Sequence, residues 1–256
     1  MQRFYLEDLN TTNFNFVLKD SDLVHQIWRV LRSKPWDKVI LFDGKDLWDY
    51  VFEIKEITKT EVILEQVDRI EKHSEIDFEL NLFQAIPNKM DKIEDIIKNW
   101  TQIWITNFLF FKANRSQKLV ISDKKIERLN KIIKEAAEQC GRNIIPWLMI
   151  WEKPNFMNLD WENYFLHTAK PPSPLIRGND LSSPLKENWG GLFLKDIKIQ
   201  SWKIINLFIW PEWGFDEDEV WKFGRNEFKS LYLWERILRT ELAWVSSAFY
   251  LIQNSL

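Results

Sequence analysis

Cysteine is nearly absent: the 256 residues hold one, Cys140. That excludes a disulfide framework and a cysteine-ligated zinc site. Glycine is scarce as well, seven residues or about 3% where average usage is about 7%. No apolar run approaches the roughly 20 residues that span a bilayer, and Met1-Gln2-Arg3-Phe4 does not open a secretory signal. The expectation is a soluble, cytoplasmic protein with no membrane partner. Neither sign of charge is in excess: 35 basic against 38 acidic side chains leave a formal net charge of −3. A wholesale basic nucleic-acid binder is excluded, though a local basic patch is not. His25 and His73 lie far from any cluster with ligand spacing, so no metal is expected.

What is present is apolar mass and an unusual amount of tryptophan. Apolar residues make up 45% of a chain long enough for one or two domains with sizeable cores. Tryptophan occurs fifteen times, about 6%, so tryptophan and glycine together come to about 9%. A chain in which many tryptophans occupied glycine positions would have an ordinary glycine content.

From Gln2 to about Lys72 short β-type runs alternate with turns. Val39–Phe42, Asp43-Gly44 and Tyr50–Ile54 read as a hairpin, and the spacing suits a small barrel. A short helix is predicted over Asp22–Arg32, where Leu23, Ile27, Val30 and Leu31 recur at helical spacing. After about Glu75 strands alternate with helices, the mark of a parallel sheet. The predicted strands are Phe78–Ile86, Asn107–Phe111, Pro146–Ile150, Tyr164–His167, Ile204–Ile209 and Ser230–Leu233. Predicted helices are Lys89–Trp104, one capped at Ser122-Asp123 and ended by Gly141, Asp216–Phe228 and Ile237–Leu251. Between Pro171 and Gly191 lies an irregular stretch rich in turn residues.

Two loops carry the chemistry. Phe208-Ile209-Trp210-Pro211-Glu212-Trp213-Gly214-Phe215 leaves a strand and enters a helix capped by Asp216, with Glu219 as its capping-box partner. Ligands in open α/β sheets sit at such strand ends, although a plain turn with a good cap gives the same pattern. The second is Leu233-Trp234-Glu235-Arg236-Ile237-Leu238-Arg239-Thr240-Glu241-Leu242-Ala243. Arginines at the positive end of a helix disfavour the helix and suit an anionic partner, or else form a solvated face.

These residues resemble a known family. Trp210–Phe215 is similar to the Gly-Pro-Glu-Gly-Gly-Phe loop, and Leu233–Ala243 to the Leu-Gly-x-Arg-Ile-Leu-Arg-Thr-Glu-Thr-Ala motif, of the RsmE-type ribosomal RNA uracil-N3 methyltransferases. Further matches follow in order: Arg3-Phe4, His25 with Val30-Leu31-Arg32, Trp36-Asp37 before Phe42-Asp43-Gly44, Arg115-Ser116 against Glu-Arg-Ser, and Glu135–Arg142 with Pro146. The resemblance covers essentially the whole chain.

The departures form a pattern. Trp36, Trp104, Trp210, Trp213 and Trp234 stand where the family has glycine, and Trp48, Trp100 and Trp244 extend the set. Glycine serves such loops by permitting positive φ and close backbone approach, neither of which suits tryptophan. The economical reading is that UGA codons of the gene specify glycine and stand here as tryptophan. Asn99, Gln102 and Leu242, which replace the usual Lys, Glu and Thr, are not explained this way.

The resemblance implies an α/β protein with an N-terminal PUA-like RNA-binding β-barrel (1–72) and a C-terminal SPOUT methyltransferase domain (73–256) threaded into a trefoil knot. It implies a homodimer that binds S-adenosylmethionine and methylates N3 of a uridine in small-subunit (16S) ribosomal RNA. The cofactor would be held by Ile209, Trp210, Pro211, Glu212, Trp213 and Gly214, and by Leu233, Trp234, Arg236, Ile237 and Leu238. His167 is a further candidate, or simply a polar strand-end residue. Arg236 and Arg239 are candidates to stabilise negative charge on the uracil oxygens. Glu212 or Glu241 could take the N3 proton, or each could make a loop hydrogen bond or dimer contact. Arg3, Arg29, Arg32, Arg115 and Arg142 are the RNA-binding candidates; the last two lie in Lys112–Arg142, which holds nine basic residues against four acidic ones. Cys140 is expected in the core. The competing reading is a noncatalytic RNA-binding or ribosome-assembly protein of the same fold, which literal tryptophans at 210, 213 and 234 favour.

Overall fold

The computed structural model describes residues 1–9, 14–73, 75–116, 119–152, 162–166, 192–193, 197, 204–211, 214–233, 238 and 240–253. The chain forms two compact units, Met1–Glu75 with Lys134–Ile145, and Ile76–Ile133 with Pro146–Leu256.

In the first unit, β1 (Gln2–Tyr5), β2 (Asn15–Leu18), β3 (Lys38–Phe42), β4 (Trp48–Ile57) and β5 (Val62–Glu71) form one mixed sheet, ordered β1-β3-β4-β5-β2. β1 runs parallel to β3, and the other pairs are antiparallel. The hairpin read from Asp43-Gly44 joins β3 to β4, and Gly44 has φ +76°. A Cβ there would lie 2.5 Å from the Ile145 side chain, so the position is closed to other residues on two grounds. Helix α1 (Ser21–His25), capped by the Asp20 carboxylate, passes directly into a π-helical turn over Gln26–Val30. Leu23, Val24 and Ile27 thereby join a core of Phe4, Leu41, Phe52, Ile54 and Leu64.

The second unit is a parallel sheet of β6 (Glu79–Ala85), β7 (Asn107–Phe111), β8 (Trp147–Trp151), β9 (Glu162–Leu166), β10 (Leu192–Phe193), β11 (Ile204–Ile209) and β12 (Lys229–Tyr232), ordered β10-β12-β9-β11-β6-β7-β8. Helices α2 (Met90–Thr101), α3 (Asp123–Cys140), α4 (Glu217–Arg225) and α5 (Thr240–Gln253) follow strands, as the alternation predicts, and the last two turns of α3 belong to the first unit. On one face Phe83, Phe165, Phe208, Phe223 and Phe228 form an aromatic cluster beneath α4. Each fully buried ring contributes about 1.5–3 kcal/mol. On the other face Trp100 of α2 is buried against Phe108.

An asparagine ladder crosses four strands. Asn107 donates to Asn81 (2.7 Å), Asn81 to Asn206 (3.0 Å) and Asn206 to Asn163 (2.8 Å). These residues are mutual register partners, so a one-residue slip of any strand would break the chain of amides.

Three sequence expectations shift. Helix α2 ends at Thr101 rather than Trp104, because Trp104 adopts φ +54° and the Ile105 N–H returns to the Trp100 carbonyl. That is the left-handed stop usually given to glycine. Trp36 is similar, with φ +77° and its ring exposed. The described residues include four non-glycine residues at positive φ: Arg32, Trp36, Trp104 and Glu227. Two of them are thus among the tryptophans at family glycine positions, whereas Trp100 is a core side chain. The second shift concerns Cys140, which is exposed: the buried stripe of α3, Leu129, Ile133, Ala136 and Ala137, ends before the helix does. The third is β10, two residues at the edge of a stretch predicted to be irregular; 167–191 lies outside the described residues.

Candidate active site

Because all strands of the second unit are parallel, the carboxyl ends of β6, β7, β9, β11 and β12 share one edge of the sheet. Ile209 ends β11 buried and in register with Gln84 of β6. Beyond it, the half-buried Trp210 leads into a turn in which the Gly214 N–H donates to the Pro211 carbonyl at 2.9 Å. Gly214 has φ +71°, and a Cβ there would meet nothing within 4 Å. Phe215 then stacks on Phe111 and meets Phe223 edge-on, anchoring the loop in the aromatic core.

The loop enters α4 through the predicted capping box. Asp216 Oδ1 accepts the Glu219 N–H (2.8 Å), and Glu219 Oε2 accepts the Asp216 N–H (3.0 Å). The other Glu219 oxygen takes the N–H of Asn114 from the β7–α3 loop (2.8 Å), while the Asn114 amide donates to Asp216 Oδ2 (2.7 Å). Glu219 is buried, which pushes its carboxyl above the usual value of 4.5 although the two N–H donors oppose this.

Gln84, fully buried at the end of β6, directs its amide N–H groups to the carbonyls of Ala85 (2.7 Å) and Trp210 (3.5 Å). Among the described residues its Oε1 has no hydrogen-bond partner. A buried acceptor left so is destabilising by about 1–3 kcal/mol unless something else donates to it.

Of the second loop, Leu233 and Leu238 are half-buried and α5 starts at Thr240. Trp234, Arg236, Ile237 and Arg239 lie outside the described residues, as do Glu212, Trp213, His167 and the side chain of Glu241.

The RNA-binding candidates divide by environment. Arg3 places Nη2 2.8 Å and Nε 2.9 Å from Asp49 Oδ1, donates from Nη1 to the Ala137 carbonyl and lies 3.8 Å over the Phe42 ring. Arg142 is buried against Glu75, Nη2 to Oε2 at 3.0 Å. Both cationic heads are committed inside the first unit rather than turned to solvent. Arg29, Arg32 and Arg115 are exposed. Of the basic stretch, Arg128 pairs with Glu94, and Lys134 lies over Tyr5. Sequence reasoning overlooked Gln84 and Asn114. Their signals were a second amide, after Asn81, near the end of an apolar strand and the residue directly before Arg115-Ser116.

Among the described residues no group of His, Cys, Asp or Glu could hold a metal ion, and no helix is long and apolar enough to cross a membrane.

A parallel sheet with a capped loop at the carboxyl end of a central strand is a general α/β ligand-binding architecture, and here it is that of an RNA methyltransferase domain, whose family model matches residues 74–252. The match extends beyond that domain. The chain is 30% identical over 254 residues to the ribosomal RNA small subunit methyltransferase E of Buchnera aphidicola (subsp. Acyrthosiphon pisum), covering 95% of this chain and 89% of the relative. The Bacillus subtilis protein of the same name is 28% identical over 224 residues, 86% and 83% of the two chains. A crystal structure of the Neisseria gonorrhoeae protein of that name, bound to S-adenosyl methionine, superposes with a TM-score of 0.77 at 23% identity over 97% and 95% of the chains. This chain belongs to the RsmE family of ribosomal RNA small subunit methyltransferases.

Proposed function

We propose that the chain transfers a methyl group from S-adenosylmethionine to N3 of a uridine in 16S ribosomal RNA of the small ribosomal subunit. The observation that carries this reading is similarity over nearly the whole chain to curated small-subunit methyltransferases, including the 209–214 loop. The residues present suit such a cofactor. Gln84 Oε1 is a buried acceptor waiting for an N–H or O–H, and Gly214 has open space beside it.

When bound, the cofactor supplies an electrophilic methyl on a sulfonium. The backbone of Ile209–Gly214 and Leu233–Leu238 would hold it, and His167 would supply a third contact in the family's knotted threading. As the N3–methyl bond forms, the sulfur–methyl bond breaks and N3 loses its proton. Glu212 or Glu241 receives that proton directly or through water. Arg236 and Arg239 offset the negative charge that builds on O2 and O4 meanwhile. Arg29, Arg32 and Arg115 are the solvent-exposed arginines that position RNA phosphates. A second copy completes the assembly through α5, where Leu242 and Phe249 are exposed on the helix whose Ala243, Ala248 and Ile252 are buried.

Small subunits from cells lacking the family enzyme, incubated with this protein and methyl-labelled S-adenosylmethionine, should incorporate label into RNA. Binding to those particles without incorporation would instead support the noncatalytic assembly protein, the reading that tryptophan at the half-buried position 210 favours.

A further inference from the structure

Asn114 occupies the place of the glutamate in the Glu-Arg-Ser motif, and its surroundings give that exchange a purpose. Arg115 sits inside a short closed turn: the Ser116 N–H donates to the Ala113 carbonyl (3.0 Å), and the Ala113 N–H donates to Ser116 Oγ (3.1 Å). Asn114 fastens it twice, through its backbone N–H to Glu219 Oε1 and its side-chain amide to Asp216 Oδ2. Both acceptors lie in the cap of α4, one residue or more after the loop that ends at Phe215.

The polarity of the second bond matters. Asp216 uses Oδ1 for its cap and takes the Asn114 amide on Oδ2, a donor that an ionised glutamate at 114 could not supply. With asparagine the bond is charge-assisted. With a carboxylate the two anions would face each other.

We propose that Asn114 is a positioning residue: it locks the Arg115 turn to the α4 cap, so that Arg115 meets an RNA phosphate at a fixed distance from the cofactor loop. This rests on the methyltransferase reading above. The capping box closes through Asp216 and Glu219 alone, so the loop entering α4 keeps both of those hydrogen bonds when position 114 changes.

The test is Asn114→Asp, compared with Asn114→Asp/Asp216→Asn. The single change sets two carboxylates against each other, whereas the double change restores one amide–carboxylate bond with its direction reversed and keeps a good N-cap. For the single variant, Kd for undermethylated small subunits and KM for them should rise roughly tenfold, the loss of one charge-assisted bond. Calorimetric affinity for S-adenosylmethionine should stay within about twofold, and the double variant should return to within about threefold of the parent in particle binding. Thermal unfolding of both variants verifies that each folds. Unchanged particle affinity in the single variant, or no recovery in a folded double variant, would overturn the proposal. Absence of methyl transfer by the parent would instead count against the methyltransferase reading, and particle binding would still judge Asn114.

Discussion

Removing Arg3 should destabilise the protein and leave no specific RNA defect. Asp49 is buried, and Arg3 supplies its two close charged contacts. Without the guanidinium, Asp49 keeps the Asn143 amide at 2.9 Å and Lys72 Nζ at 3.7 Å, one neutral donor and one distant cation. Breaking a buried pair from one side destabilises by about 3–5 kcal/mol, and Lys72 places Arg3→Ala at about 3 kcal/mol. Loss of the cation over Phe42 adds about 0.5–1 kcal/mol. For a chain of this length the two losses together lower the thermal midpoint by about 7–16 °C. Exchanging both partners, Arg3→Met with Asp49→Leu, should recover most of the loss, since two apolar side chains carry no stranded charge. Circular dichroism melts and filter binding of small-subunit RNA would be run side by side, with Arg29→Ala and Arg32→Ala as the contrast. Those two should weaken RNA binding and change stability by less than about 0.5 kcal/mol. The reasoning is refuted if Arg3→Ala melts with the parent and loses RNA affinity.

Glu219, whose carboxyl burial raises above 4.5, should make the fold more stable as pH falls. The folded state then holds a proton that the unfolded chain gives up, so the contribution is full below about 4.5 and lost as pH rises through the folded value. Denaturant titrations should show the parent gaining on Glu219→Gln across that interval, and a parallel pair of curves would contradict it. Trp36→Gly and Trp104→Gly should each cost less than about 1 kcal/mol, because left-handed φ already strains tryptophan there. Trp100→Gly should cost about 4 kcal/mol or more from the core; equal losses at 100 and 104 would sink the glycine-position argument. Light scattering should return about twice the 31.0 kDa chain mass, and a monomer at micromolar concentration would count against docking through α5.

Local regularity was legible. The β3–β4 hairpin, β7, β11 and the stop of α3 at Gly141 all follow from short-range pattern, because neighbours in sequence decide them. The capping box after the first loop was legible too, from Asp216 and Glu219 at their three-residue spacing. Tertiary pairing was not. An arginine bound for a buried aspartate 46 residues away looks the same in sequence as one bound for phosphate, and Arg3 shows it. Asparagine is a poor strand former alone, so the ladder from Asn107 to Asn163 becomes favourable only when four strands align. Asn114 likewise finds its partners 102 and 105 residues on.

The central claim is methyl transfer to N3 of uridine, and nucleoside-resolved mass spectrometry tests it most directly. Small subunits lacking the modification would be incubated with the protein and deuteromethyl S-adenosylmethionine, and their RNA digested to nucleosides. The account predicts labelled 3-methyluridine, and more of it after Trp210, Trp213 and Trp234 are each replaced by glycine, the residue of the family motifs in the two loops proposed to hold the cofactor. Label in any other nucleoside, or none in either protein while S-adenosylmethionine binds, would contradict it.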